Sequence, residues 1–219
     1  MSISRLLRPR SVAIVGASAT AGSLGGGVLA NLERFRFGGA LHLVNPRYDR
    51  IGDRPCFRSI AELPDGIDCA VLAIPHAHVV DSVRACAEKG IGGLIVLAGG
   101  FAEAGEEGKN AQEQIAATAL GAGVALQGPN CLGMINYVDG VPLMFGVAPF
   151  DALGDRKGVA VVSQSGAMAS AVRPANRYEA ARLARAVRVS GWSGPRRFSR
   201  SANTCSSIAM ASWTRPANR

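Results

Sequence analysis

Ser11-Val-Ala-Ile-Val-Gly-Ala-Ser18 decides how this 219-residue chain is read. Val12–Val15 is an unbroken apolar run, the pattern of a strand buried on both faces of a parallel sheet. It stops at Gly16, and Gly16-Ala-Ser-Ala-Thr-Ala-Gly22 contains only small residues. Such a loop lets backbone N–H groups come close to a phosphate, and the helix that follows adds the partial positive charge of its N-terminus. This loop between Gly16 and Gly22 can therefore meet a phosphate, with Ser18 and Thr20 adding hydroxyl donors. The loop does not match G-x-G-x-x-G, a weak signal by itself. A tight strand-to-helix turn without a ligand is the competing reading.

Outward from this stretch, strand and helix patterns alternate up to about residue 136. Gly22–Arg36 reads as a helix with Val28, Leu29 and Leu32 on one side, and Leu41–Val44 as the second strand. Ser59–Leu63 is a helical turn before Pro64. Asp68–Ile74 is a strand stopped by Pro75, and Val79–Lys89 a helix with Gly90 at its C-terminal cap. Gly93–Leu97 is the fourth strand, Glu106–Leu120 an amphipathic helix, Val124–Leu126 the fifth strand and Met134–Asn136 a candidate sixth. Strands separated by helices of this length predict βαβ units, hence an α/β fold with a Rossmann-like parallel sheet and helices on both faces. Residues 137–156 read as a connection without periodicity. Gly158–Val162 then starts a new strand, and Ser163-Gln-Ser-Gly166 opens a helix. The expected division is a domain over 1–150, the beginning of a second, incomplete α/β domain over 151–172, and a tail over 173–219.

The loops after these strands carry the candidate chemistry, because ligands of open parallel sheets bind at the carboxyl ends of the strands. An NAD site would hold an acid after the second strand to bind the ribose hydroxyls. This chain has Asn45-Pro46-Arg47 there, and an Arg can pair with a phosphate on the adenosine ribose, as carried by NADP and coenzyme A. Ile74-Pro75, Gly99-Gly-Phe101 and Gly128-Pro-Asn-Cys-Leu-Gly133 lie at the same edge. The Gly128-Pro129 turn makes the last of these a rigid loop ahead of Asn130. Cys131 reads as a packed side chain, since nothing near it in sequence activates a thiol. Ser163-Gln-Ser165-Gly166 is not a nucleophile elbow, which needs G-x-S-x-G where this chain has Val161 and Val162; anion binding at a helix start fits it better. His76 and His78 have the spacing of a helix start, with no carboxylate-rich partner for a metal, and His42 reads as structural. No metal site is expected.

Composition narrows the setting. Hydrophobic residues make up 48% of the chain, yet no run approaches the ~18 apolar residues of a membrane span, so no membrane partner is expected. The N-terminus lacks the apolar segment of a signal peptide. Cys56, Cys69, Cys86, Cys131 and Cys205 form no C-x-x-C pair, which points to a reducing cytoplasm and away from disulfides or zinc. The net charge of +8 sits in one place. Residues 1–171 hold 14 Lys and Arg against 15 Asp and Glu, whereas residues 172–219 hold ten Arg and a single acid, Glu179, together with both tryptophans. Two readings of this tail compete: a nucleic-acid-binding arm, and out-of-frame translation of a GC-rich gene giving a disordered segment. The second is favoured, because the composition changes inside an unfinished α/β unit, and nucleic acid is accordingly not the expected partner.

Together these landmarks resemble the NDP-forming acyl-CoA synthetases, a family that includes ADP-forming acetyl-CoA synthetase and the alpha subunit of succinyl-CoA synthetase. The resemblance rests on Pro9–Ser18, Val44-Asn-Pro46, Gly100-Phe-Ala-Glu103, Gly128–Gly133 and Val162–Gly166, in the family's order and spacing, and covers about residues 5–172. It implies a CoA-binding Rossmann domain followed by the start of a flavodoxin-like domain. It implies that Gly16, Ala17 and Ser18 face the CoA phosphates, that Asn45, Pro46, Ile74, Pro75 and Asn130 line the rest of the groove alongside Gly128, and that Ser165 and Gly166 face a phosphoryl group. Arg47 keeps the charge of the family's usual Lys. In that family an acid is joined to CoA through an acyl phosphate and a phosphohistidine. Here no histidine follows His78 and no ATP-grasp domain is present, so the resemblance implies a CoA-binding module that is inactive alone and that an ATP-grasp beta-type subunit would complement. A non-catalytic sensor of CoA or a dinucleotide, and an NADP-dependent oxidoreductase on the same fold, remain alternatives.

Overall fold

The computed structural model describes residues 3–148, 161–163, 165–166 and the backbone of 208–210. In chain order the elements are α1 (Ser4–Leu7), β1 (Ser11–Val15), α2 (Leu24–Arg34), β2 (Ala40–Val44), β3 (Arg50–Ile51), β4 (Arg54–Phe57), β5 (Cys69–Leu72), α3 (Val79–Glu88), β6 (Gly93–Val96), α4 (Glu106–Gly121), β7 (Ala125–Gln127), β8 (Gly133–Asn136), β9 (Val141–Met144), β10 (Val161–Ser163) and β11 (Ile208–Met210). Short 3-10 turns at Ile60–Glu62, His76–His78 and Ala102–Ala104 link several of them.

A seven-stranded sheet runs in the order β3-β4-β2-β1-β5-β6-β7. Six strands are parallel, and only β3 pairs antiparallel, with β4. Without β3, chain order across the sheet reads 3-2-1-4-5-6, the doubly wound Rossmann order. The period of two along each strand sorts the core. Ala13, Val15, Ala70, Leu72, Leu94 and Val96 face α3 and α4 through Val79, Val83, Cys86, Ile115 and Ala119. Val12, Ile14, Leu43, Val71 and Ile95 face Leu6, α2 through Val28, Leu29 and Leu32, and the β8–β9 hairpin through Met134, Val141 and Leu143. Helices thus cover both faces, as the alternating pattern requires.

Three local expectations are corrected. Met134–Asn136 is not a sixth strand of the sheet; as β8 it pairs antiparallel with β9 in a separate hairpin. Val141–Met144, inside the stretch read as a connection, is the other half of that hairpin, and Pro142 broke its pattern. The sheet is mixed rather than purely parallel because Gly52 and Asp53 turn β3 back onto β4, in a stretch to which the sequence pattern assigned no strand. β4 holds Arg54 and Pro55, both exposed, so its apolar signal is short.

α2 starts at Leu24 rather than Gly22, because Ser23 caps it: Ser23 Oγ accepts the N–H of Gly26 at 3.1 Å. Its next three residues, Gly25-Gly-Gly27, lie against backbone. A Cβ on Gly25 would strike the Gly16 carbonyl, one on Gly26 the Thr20 carbonyl, and one on Gly27 the Phe145 carbonyl. Further along α2, buried Asn31 donates to the carbonyls of Met144 and Gly146, both at 2.7 Å, and accepts the N–H of Ala148 at 3.0 Å. The segment leaving β9 is thereby strapped across α2.

Of the second unit, β10, Ser165 and Gly166 are described. β10 pairs antiparallel with β11, which lies in the tail where the sequence reading placed no strand; Ile208-Ala-Met210 is an apolar triplet within that polar stretch. The other expectations for 151–172 and 173–219, including the fate of the basic tail, lie outside the described residues.

Candidate functional site

In a 3-2-1-4-5-6 sheet the connections leave the first and fourth strands in opposite directions, which opens a crevice beyond their carboxyl ends. Here that crevice lies between β1 and β5. Gly16 turns the chain out of β1 with φ +88°, and a Cβ there would run into the carbonyl of Ala73 at the end of β5. The two loops therefore touch backbone to backbone, which only glycine permits. The N–H groups of Gly16 and Ala17 both donate to the Val44 carbonyl, at 2.8 and 3.2 Å. These two N–H groups join β1's loop to the end of β2. Donors facing outward begin further along. Ser18 Oγ accepts the N–H of Thr20 at 3.0 Å, leaving its own proton to donate, and the first N–H groups of α2 precede the one that Ser23 caps.

Asn45 fastens the β2 loop to the same point. Its Nδ2 donates to the Ala17 carbonyl at 2.7 Å, and its Oδ1 accepts the N–H of Arg47 at 3.0 Å. With both ends of its amide engaged, Asn45 stands where a dinucleotide site would carry a free acid. Arg47 is exposed beside it. The Pro46 carbonyl accepts from the guanidinium of Arg58 at 3.3 Å, and the same guanidinium meets Asp49 Oδ1 at 2.6 Å. Sequence reading missed Arg58, whose place depends on β4; only its position just past a strand could have signalled it. Ile74 is half-buried and Pro75 exposed at the far side of the crevice.

Beyond β5 the edge continues over the loops after β6 and β7. Gly100, at φ +95°, donates its N–H to Glu103 Oε1 at 2.7 Å. Burial works against the charge of Glu103, but the N–H groups of Glu103, Gly100 and Phe101, with His76 nearby, outweigh it and hold its carboxyl below the ordinary glutamate range. The His76 ring packs edge-on to Phe101, with centroids 4.5 Å apart. Gly128-Pro129 is a cis peptide, and Asn130 follows with φ +53°, its N–H donating to the Ala98 carbonyl at 2.8 Å. The Asn130 side chain lies over Gly99. Cys131 is buried with Sγ 3.3 Å from the Val96 carbonyl, a packing position. His42 packs near Phe57 with centroids 6.1 Å apart, and burial lowers its pKa.

Gly166 reaches Leu132 in the loop after β7. Ser165 donates its N–H to Ser163 Oγ at 3.2 Å, and a Cβ on Gly166 would lie 2.5 Å from Leu132 Cδ1. The fold thus gathers Gly16 to Thr20, Asn45 to Arg47, Ile74, Pro75, Gly128 and Asn130 along the carboxyl ends of the parallel strands. Among the described residues there is no group of three or more metal-ligating side chains, and no helix is long and apolar enough to cross a membrane.

Residues 10–137, more than half of the chain, match the family model described as a CoA binding domain. The chain belongs to this CoA-binding domain family. Its curated relatives are acyl-CoA synthetases. It is 46% identical over 175 residues to a trans-feruloyl-CoA synthase from an unknown prokaryotic organism, covering 79% of this chain and 25% of that protein. It is 38% identical over 169 residues to acetate–CoA ligase [ADP-forming] I of Archaeoglobus fulgidus, covering 77% of this chain and 24% of the relative. The chain therefore spans about a quarter of the length of these relatives. Among solved structures, the dinucleotide-forming acetyl-coenzyme A synthetase 1 of Candidatus Korarchaeum cryptofilum, in complex with phosphate and ADP, superposes with a TM-score of 0.67 at 27% identity, over 82% of this chain and 37% of that one. The CoA-binding domain thus has the Rossmann-like fold that its sequence pattern and its family both lead to.

Proposed function

We propose that this CoA-binding domain holds coenzyme A in the crevice between β1 and β5 and serves as the CoA-binding part of an ADP-forming acyl-CoA synthetase. The observation that carries the reading is Asn45. An amide committed to Ala17 and Arg47 replaces the acid that an NAD ribose needs, and it leaves an exposed Arg47 where a phosphorylated ribose would sit. In this reading the CoA phosphates lie over Ser18, Thr20 and the start of α2, with Gly16 and Ala17 shaping the loop beneath. The adenosine ribose phosphate meets Arg47 beside Pro46. The pantetheine arm passes Ile74 and Pro75 toward Gly128 and Asn130, and Ser165 with Gly166 faces a phosphoryl group. The ligation itself, acid to thiol through an acyl phosphate, needs a histidine carrier and a nucleoside-triphosphate site. The chain's histidines, His42, His76 and His78, all lie within the CoA-binding domain; the partner proposed for the nucleoside-triphosphate site is an ATP-grasp beta-type subunit, and the chain by itself is proposed to form no thioester.

Calorimetric titration of the full chain with CoA, dephospho-CoA, NADP and NAD tests the binding reading. CoA is expected to bind tightest, and tighter binding of NAD overturns it. Thioester formation from ATP, CoA and carboxylic acids by the purified chain alone would overturn the expectation of inactivity.

A further inference from the structure

The loop that carries Arg47 also carries a carboxylate. Asp49 lies two residues on, four-fifths exposed, in a segment closed tightly onto β4. Asn45 N–H donates to the Phe57 carbonyl at 2.9 Å, Tyr48 N–H to the Asn45 carbonyl at 3.3 Å, and Cys56 N–H to the Asp49 carbonyl at 2.9 Å. These bonds fix the backbone of the loop and with it, two residues from Arg47, the Cα of Asp49. Its field reaches its neighbours: burial raises the Cys56 thiol pKa, and Asp49 raises it further. Left bare, that charge would oppose a phosphate dianion brought to Arg47. Among the described residues the cation bonded to Asp49 is Arg58, at 2.6 Å. Arg58 also bonds the Pro46 carbonyl at 3.3 Å, and its own N–H is fixed by Glu62 Oε2 at 2.9 Å.

Resting on the reading of this crevice as a CoA site, we propose that Arg58 is a positioning residue for ligand selectivity. It neutralises Asp49 and pins the Pro46 carbonyl, so that Asp49 does not oppose Arg47 in meeting the phosphate on the adenosine ribose. The Arg58–Asp49 pair is then a determinant of the preference for CoA over dephospho-CoA, the same molecule without that phosphate.

The test is calorimetric titration of the full chain with both ligands. Wild type is expected to favour CoA. Arg58→Ala is expected to weaken CoA by about threefold to fivefold, the range of one exposed ion pair, while changing dephospho-CoA less than about twofold. Adding Asp49→Asn to Arg58→Ala should restore CoA binding, Arg58→Lys should retain part of the preference, and the effect of Arg58→Ala should shrink as salt rises. Equal weakening of both ligands by Arg58→Ala, or no recovery on adding Asp49→Asn, overturns the proposal and leaves the CoA reading standing. A wild type that binds CoA no better than NAD overturns both.

Discussion

The carboxyl edge of the sheet has two halves, built by different means. On the β1–β2 side the loops are joined by bonds between distant parts of the chain: Gly16 and Ala17 to Val44, and Asn45 to Ala17 and Phe57. On the β6–β7 side a long-range bond, Asn130 N–H to the Ala98 carbonyl, is joined by a local one, Gly100 N–H to Glu103, three residues apart. The first half presents an arginine and the second a carboxylate. The difference teaches that the proposed phosphate end of this crevice rests on long-range bonds alone, whereas the far end adds a turn that is closed locally. It also gives the edge a polarity that suits a ligand with its phosphates at one end and a neutral arm at the other.

Substitutions that strike the long-range half should therefore do the most damage. Gly16→Val places a branched side chain at φ +88° against the Ala73 carbonyl. The expected cost exceeds about 3 kcal/mol, seen as a thermal midpoint lowered by about 10 °C or more; a variant melting like wild type would show that the two loops do not depend on this contact. Asn45→Ala removes the tie to Ala17 and the acceptor for Arg47. A loss of about 1–2 kcal/mol is expected, with CoA bound about tenfold more weakly; unaltered CoA affinity would mean that the crevice holds its shape without this tie. Glu103→Gln, in the locally closed turn, should have the smallest effect, and one that depends on pH. A carboxyl with a lowered pKa contributes stability that is full above its unfolded value, about 4.3 for glutamate, and is lost as pH falls through the lower folded value. Urea midpoints of wild type and Glu103→Gln should accordingly differ at pH 7 and converge as pH falls below about 4. A difference that persists into acid would remove Glu103's charge from the account of that turn.

The same division explains what the sequence revealed. The buried strands β1, β5 and β6 were legible because unbroken apolar runs bounded by glycine and proline have few other uses. The loops after them could be placed at one edge as soon as the sheet was parallel. What stayed hidden lay in short strands whose apolar pattern is broken, and in side chains that those strands place. β4 is half-exposed and begins Arg54-Pro55, so its pairing with β2 left no periodic trace. The hairpin of β8 and β9 has Pro142 opposite Ile135. Arg58 became visible only with β4 in place. The engagement of Gly16 and Ala17 with Val44 was equally unreadable, since a small-residue loop looks the same whether its N–H groups face a ligand or a neighbouring strand.

The three glycines of α2 have one more consequence. Glycine in a helix is less favourable than alanine by about 1 kcal/mol per residue, so the first turn of α2 gives up local stability in return for contact with three carbonyls. That turn is held by docking more than by its own preference for helix, and it is the turn nearest the proposed phosphates. An anion bonded to its free N–H groups would supply the order that its composition lacks. Coenzyme A should then slow amide hydrogen exchange at Leu24 to Val28 far more than in α3 or α4, making α2 the element whose folding is completed by the ligand.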